Sequence, residues 1–304
     1  RRREAVQVDN LFVNPGVFGK TYYVDTTNGD DTNTGLDPND AFKTLDKART
    51  TSAAGDTIVI APGTYTQTAA EEPLTPKANQ QWMAAVPNGF ATPTVVITGT
   101  AEAVVVDVAV DGVVFKGIKF SADDSAVSEL VRVAEGAAVD GLTFLNCWFD
   151  GNGKTTVNGI SADHATQAPT GMWVKDCRFL ECDVGIDVGV SGIPDGMIED
   201  NIFHCEDAGG GDVGIALADT TALATGYGYC IRNNDFIGAI DAGADSVGIT
   251  IAGTENTTGM GIIRNNMFSF MTAASITIDK MSRSEVNNYT GDVATGGTLV
   301  DPGT

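Results

Sequence analysis

Between residues 113 and 290 the chain repeats one pattern of apolar and polar positions seven times: a short apolar strand, a Gly, Asn or Asp, and three residues later, in all but the last copy, an aromatic. The copies are Val-Val-Phe-Lys-Gly-Ile-Lys-Phe120, Leu-Thr-Phe-Leu-Asn-Cys-Trp-Phe149, Met-Trp-Val-Lys-Asp-Cys-Arg-Phe179, Gly-Met-Ile-Glu-Asp-Asn-Ile-Phe203, Tyr-Cys-Ile-Arg-Asn-Asn-Asp-Phe236, Gly-Ile-Ile-Arg-Asn-Asn-Met-Phe268 and a degenerate Ser-Glu-Val-Asn-Asn-Tyr-Thr290. Their last residues lie 29, 30, 24, 33, 32 and 22 apart. A period of this length made of strands and turns predicts a solenoid, because each copy can bury its apolar face only against the next. A second phrase interleaves with the first: Val-Asn-Gly-Ile160, Val-Gly-Ile186, Val-Gly-Ile215, Val-Gly-Ile249 and Ser-Ile276, continuing with an alternation of period two. Two strand signals per repeat, joined by short turns, predict the coil of a parallel β-helix.

The columns of the repeat carry further expectations. Three residues before each terminal position stand Gly117, Asn146, Asp176, Asp200, Asn233, Asn265 and Asn287, the residue types that tolerate left-handed backbone and bond to their own turns. The next column, Ile118, Cys147, Cys177, Asn201, Asn234, Asn266 and Asn288, reads as a core stack that becomes an amide ladder. The basic column Lys116, Lys175, Arg232 and Arg264, with Glu199 between its members, reads as a charge ladder across coils.

Ahead of the repeats come Tyr-Tyr-Val-Asp25, a Gly/Asn/Asp loop, Asp-Ala-Phe-Lys-Thr-Leu-Asp-Lys-Ala48 and Ala-Gly-Asp-Thr-Ile-Val-Ile-Ala-Pro-Gly-Thr-Tyr65. Asp40 is positioned to cap a helix over 41–51 with Phe42, Leu45 and Ala48 on one stripe, and 57–61 reads as a buried strand. This entry segment resembles that of right-handed parallel β-helix proteins of the pectate-lyase-like superfamily, in which a first strand and a short amphipathic helix cap the open end. The resemblance implies an all-β fold: a right-handed parallel β-helix solenoid of about 8–9 coils with a short N-terminal capping helix. The expected organisation is an arm over 1–20, entry and cap over 21–66, coils over 67–290 and a tail over 291–304. The superfamily includes polysaccharide lyases, glycoside hydrolases, bacteriophage tailspikes and structural virion proteins, so fold alone does not choose a function.

Composition narrows the choice. With 304 residues, 36 of them Gly and 19% charged, the chain suits one elongated domain. Its net charge of −22 opposes binding to nucleic acid, and to any polyanion without a bridging metal ion. No run of 18 apolar residues predicts a membrane span. No secretory signal is visible, and because the chain begins at Arg1 a removed leader stays open. The five cysteines fall inside the strand pattern and read as buried reduced thiols, suited to assembly in a reducing cytosol. His204 and Cys205 have no second pair at zinc-ligand spacing.

For chemistry, the acids after the terminal aromatics (Asp150, Glu181, Asp183, Glu206, Asp207, Asp212, Asp241, Asp245) would stack on neighbouring coils, as solvated loop residues or as the carboxylate pair of a glycosidase. Asp183, Asp207 and Asp212 are the candidate catalytic residues, with Lys175 or Arg178 nearby. Trp148 and Trp173 are candidates for stacking on sugars, against a bland reading as wall residues of strands. Asp25, Asp30 and Asp31 form a candidate Ca²⁺ loop that lacks EF-hand spacing. Arg1, Arg2, Arg3 and Phe12 mark the arm as a candidate docking segment. Known lyase and hydrolase motifs of the superfamily are missing. The favoured expectation is therefore a bacteriophage virion protein, a trimeric head-decoration or spike protein assembled in the host cytoplasm. Its partners would be two further copies, capsid or tail proteins and host surface polysaccharide. The alternative is a polysaccharide lyase or glycosidase of the tailspike-depolymerase kind, acting through surface carboxylates.

Overall fold

The computed structural model describes residues 19–68, 73–86, 93–99, 103–134, 136–154, 156–162, 169–189, 193–205, 212–219, 228–238, 246–253, 260–271, 274–278, 283–286 and 289–290. Its strands form three parallel sheets that run the length of a β-helix. Sheet A has ten strands, from Thr21–Val24 to Arg283–Val286; sheet B has nine, from Gly63–Gln67 to Tyr289–Thr290; sheet C has seven, from Val104–Val108 to Ala274–Ile278. Each coil contributes one strand to each sheet in the order A, B, C, so residues one repeat apart become neighbours about 4.8 Å apart.

The first phrase is the A-to-B corner. Asn146, Asp176, Asp200, Asn233 and Asn265 take left-handed φ of 54, 54, 59, 55 and 55°, and Gly117 takes 70°. The aromatic that follows points inward from sheet B. Phe120, Phe149, Phe179, Phe203, Phe236 and Phe268 stack with centroids 4.6–5.4 Å apart, their rings nearly parallel from Phe149 onward. The second phrase explains how the rings fit: Gly159, Gly185 and Gly214 of sheet C lie against Phe179, Phe203 and Phe236. A Cβ on Gly185 would stand 2.8 Å from the Phe203 ring and 2.6 Å from the Gly214 carbonyl oxygen. The isoleucine that follows each glycine, Ile160, Ile186, Ile215 and Ile249, is fully buried in register with the next.

Inside the corner the amide ladder forms as the sequence predicts. Asn234 Oδ1 accepts from the backbone N–H and the Nδ2 of Asn201, both at 3.0 Å, while its own Nδ2 donates to the Ile198 carbonyl and to Asn266 Oδ1 at 3.0 Å. Below Asn201 the thiols take over the same positions. The Cys177 N–H donates to Asn201 Oδ1 at 2.8 Å, and the Cys147 N–H reaches Cys177 Sγ at 3.4 Å. Asn287 and Asn288 lie outside the described residues. On the outside of sheet A, Lys116, Leu145, Lys175, Glu199, Arg232 and Arg264 share one register column. Glu199 pairs with Lys175 at 3.3 Å and with Arg232 at 2.5 Å, so the expected charge ladder is present.

All five cysteines are free, four of them buried and Cys230 half-buried. Burial raises the pKa of the Cys177 and Cys182 thiols, with Cys147 adding to the first and the Asp150 charge to the second. An aromatic disulfide reagent added to native protein should therefore modify Cys230 first. The other four should react only with the rate of unfolding; rapid release of more than one equivalent would contradict this packing.

The cap is shorter than the sequence suggests. The α-helix is Leu45–Thr51, and its first N–H groups are capped by the Thr44 hydroxyl, not by Asp40. Asp40 ends a 3-10 turn, Pro38–Asp40, and accepts from Thr34 instead. Phe42, Leu45 and Ala48 are buried as expected. The strand Thr57–Ile60 pairs with Thr21–Val24 in sheet A. Tyr65, 5% exposed, donates its hydroxyl to the Ala61 carbonyl at 2.9 Å. Burial, reinforced by the Asp25 charge, pushes its pKa from 10.0 to about 12. A phenol with a raised folded pKa supports the fold below the unfolded value and loses that support as pH rises through the folded one. The cap should thus loosen as pH climbs through about 12. Tyrosinate absorbance should show a late-titrating phenol that Tyr65→Phe removes.

Candidate functional site

Two columns of sheet C gather polar side chains at the lower end of the solenoid. One runs Glu129, Asn158, Val184; the other runs Asp107, Arg132, Ser161, Asp187. Alternation with the buried Val106, Val131, Ile160 and Ile186 puts the second column on the face opposite the core. Arg132 is held from below by Asp107, with Nε to Oδ1 and NH2 to Oδ2 both at 3.1 Å, a two-point grip on a planar cation. Its NH1 lies 3.7 Å from Glu129 Oε2, and Glu129 is 6% exposed. Asn158 donates from Nδ2 to Asp187 Oδ2 at 3.1 Å. Between Arg132 and Asp187 sits Ser161, fully buried, its hydroxyl without a hydrogen-bond partner. A buried hydroxyl without a partner costs about 1–3 kcal/mol, so this one is a mark of strain.

Arg132 and Asp187 are two rungs apart, about 9.6 Å between backbones. That span admits one ring of a sugar chain between a fixed cation and a fixed carboxylate. A carboxylate oriented by an amide can take up a proton or attack a carbon. A guanidinium locked by a second carboxylate can hold an oxygen on which negative charge builds.

The residues singled out from sequence fall elsewhere. Asp183 and Asp212 do occupy adjacent rungs, since the N–H of Val213 bonds to the Asp183 carbonyl at 2.9 Å and that of Val247 to the Asp212 carbonyl at 2.8 Å. They border sheet C just before its strands, but Asp212 is only 3% exposed, which removes it from direct contact with a polymer. Asp207, Glu206, Asp241 and Asp245 lie outside the described residues, as do Arg1, Arg2, Arg3 and Phe12. Both tryptophans belong to the wall: Trp148 carries the Arg178 guanidinium 5.0 Å above its ring, and the Trp173 indole donates to Glu199 Oε1 at 3.1 Å.

The candidate calcium loop has its oxygens engaged by its own chain. Asp25 Oδ1 accepts the N–H groups of Thr27 and Asn28, and its Oδ2 the Asn28 amide. Asp30 Oδ1 accepts from Thr32 backbone and hydroxyl. Asp31 accepts from the N–H groups of Lys43 and Thr44 and from the Thr44 hydroxyl. The Asn28 amide holds the Asp25 carboxyl below its usual pKa, and the Thr32 N–H does so for Asp30. Among the described residues no three His, Cys, Asp or Glu side chains converge as metal ligands.

Comparison with solved structures bears on the whole solenoid. The pectin methylesterase from Aspergillus niger aligns with TM-score 0.60 and 16% identity over 93% of this chain and 91% of its own. The carrot pectin methylesterase aligns with TM-score 0.61 and 14% identity over 93% and 87%. A pectate lyase aligns with TM-score 0.51 and 17% identity over 92% and 82%. The fold is theirs. At these identities the likeness extends to the parallel β-helix fold and no further. A family model described as "Protein of unknown function (DUF1565)" matches residues 27–84, the cap and first coil. Among curated protein sequences none matches the chain.

Sequence reading missed Asp107, Glu129, Arg132, Asn158, Ser161 and Asp187 because it sought acids clustered in loops. The signal was present in the second phrase. Val-Gly-Ile-Asp187 carries a charge at an outward strand position, and Val-Val-Val-Asp107-Val and Glu-Leu-Val-Arg132-Val are earlier copies without the glycine.

Proposed function

We propose that the chain is a carbohydrate-active β-helix protein that lays a polysaccharide across the outer face of sheet C and turns it over there. Asp187 acts as base or nucleophile on the bound sugar. Arg132, fixed by Asp107, neutralises the negative charge that develops on a substrate oxygen. The observation that carries this reading is that Arg132 and Asp187 share one outward column two rungs apart, the first fixed by Asp107 and the second by Asn158. The named structural relatives, pectin methylesterases and a pectate lyase, support a sugar polymer as the ligand. The test is a panel of neutral and acidic polysaccharides assayed for new reducing ends, unsaturated products and released acid or alcohol. Turnover that Asp187→Asn abolishes while oligosaccharide binding persists supports the assignment. Turnover unchanged in Asp187→Asn, or neither turnover nor binding on any polymer, defeats it.

A phage head-decoration or spike protein holding host glycans would use the same face without turnover. That reading rests on the family resemblance, the missing catalytic motifs, the reduced cysteines and the basic arm; the arm lies outside the described residues, and none of the relatives named above is a virion protein. Its signature would be capture on particles that depends on residues 1–20.

A further inference from the structure

The seven strands of sheet C contain a single basic residue, Arg132. Its positive charge is already matched within the chain. Nε and NH2 face the Asp107 carboxylate, and NH1 faces Glu129, whose side chain is 8% exposed. Asp187 adds a third carboxylate two rungs above. A guanidinium carries five N–H donors, so one held this way can hydrogen-bond a neutral oxygen while its charge is balanced. Partial charge that builds on a substrate oxygen during reaction is met by such a donor at contact distance. A full negative charge already present on the ligand is not.

The surroundings push the same way. Above Asp187 the column continues with Ala216 and Thr250, neither of them charged. In the sequence, the connections that enter and leave the sheet C strands between Gly99 and Ala274 hold one Lys or Arg, Lys154. Acids recur in them coil after coil: Asp123 and Asp124, Glu181 and Asp183, Asp195, Asp212. A sugar ring held between Arg132 and Asp187 lies within about 5 Å of one or the other. An acidic group on that ring would stand beside a carboxylate, and acidic groups on the next rings would find no cation on sheet C to receive them. A face of one sign also turns away polymers of that sign before contact, by a field that salt screens.

We infer, on the reading of Arg132 and Asp187 proposed above, that the ligand of sheet C is an uncharged stretch of sugar chain. A polyuronate or a sulfated glycan is rejected by charge, and a neutral polysaccharide or a fully esterified polyuronate is accepted.

The experiment compares one backbone with and without its charge: a polyuronate in free form and fully methyl-esterified, beside neutral polymers of glucose, mannose, xylose and galactose. Each is assayed with and without calcium. At low salt, kcat/KM on the responsive uncharged polymer should exceed that on the free polyuronate by about 100-fold or more, and added salt should narrow the gap. The esterified and neutral arms tell the two uncharged sources apart. Glu129→Gln removes one carboxylate from beside Arg132 and should narrow the ratio by about 10-fold, whereas a merely structural role would lower both activities and leave the ratio unchanged. Asp195→Asn, exposed and in a left-handed turn that Asn accepts, is a second variant and should narrow it by about 2-fold. Free polyuronate turned over as efficiently as the uncharged polymers, in either calcium condition, overturns the inference and leaves the role of Asp187 standing. A preference that neither variant moves also overturns it, because charge is then not the cause. Absence of turnover and binding on every polymer defeats the reading of Asp187 itself, and the inference with it.

Discussion

Asn234→Ala should destabilise the protein by about 4 kcal/mol, far more than an average polar-to-alanine change. Asn234 is fully buried and makes four contacts at 3.0 Å: two accepted from Asn201, one donated to the Ile198 carbonyl and one to Asn266. Removing it leaves donors and an acceptor stranded where water does not reach, at about 1–3 kcal/mol for each group that finds no new partner. The neighbouring Asn233→Ala is the control. Asn233 is exposed and holds the left-handed corner at φ 55°, so its loss should cost only the local side-chain bonding that lets Asn adopt that backbone, about 1 kcal/mol. Denaturant titration of both variants separates the two roles. Equal losses would mean that the corner, and not the ladder, carries the stability.

Asp187→Asn should lower kcat on the responsive polysaccharide by about 10²–10⁴, with KM within a few-fold of the wild type. The substitution keeps shape and leaves an oxygen for the Asn158 amide to donate to, so the site should stay formed. Asp107→Asn should act indirectly. It halves the two-point grip on Arg132 and exchanges an ion pair for a neutral contact, so activity should fall by about 10-fold. Saturating oligosaccharide kinetics on the three proteins resolve these cases. A larger loss in Asp107→Asn than in Asp187→Asn would move the reacting atom towards Arg132.

Much of the solenoid was readable in the chain because each of its columns repeats one physical requirement. The left-handed corner admits only Gly, Asn and Asp, so Gly117 to Asn265 announced it. The phenylalanine stack needs glycines opposite, and Val-Gly-Ile marked sheet C. The charge column on sheet A was visible because Glu199 falls between Lys175 and Arg232. The candidate site was not readable in this way. Asp107, Arg132, Ser161 and Asp187 occur once each, and only the register of four strands places them in one line. Loops between these strands differ in length, so sequence distance says nothing of which outward residues meet. The cap failed locally for another reason: Asp40 and Thr44 are both good cap residues, and the Asp31 carboxylate, by binding the N–H groups of Lys43 and Thr44, selects the second.

The ladder inside the corner also has a mechanical meaning. Its hydrogen bonds run along the axis of the rod, so tension between the two ends loads the coils in series and the weakest junction decides where the rod parts. From Asn201 to Asn266 each junction is tied by amide bonds of about 3.0 Å, but between the coils of Cys147 and Cys177 the tie is a sulfur contact at 3.4 Å. The flanking strands of sheets A and B are three residues long there. One coil below Cys147 the column holds Ile118, which offers no polar tie at all. The coupling along the axis therefore weakens stepwise from amide to thiol to hydrocarbon, and under load the coils nearest the cap would part before the amide-tied upper ones.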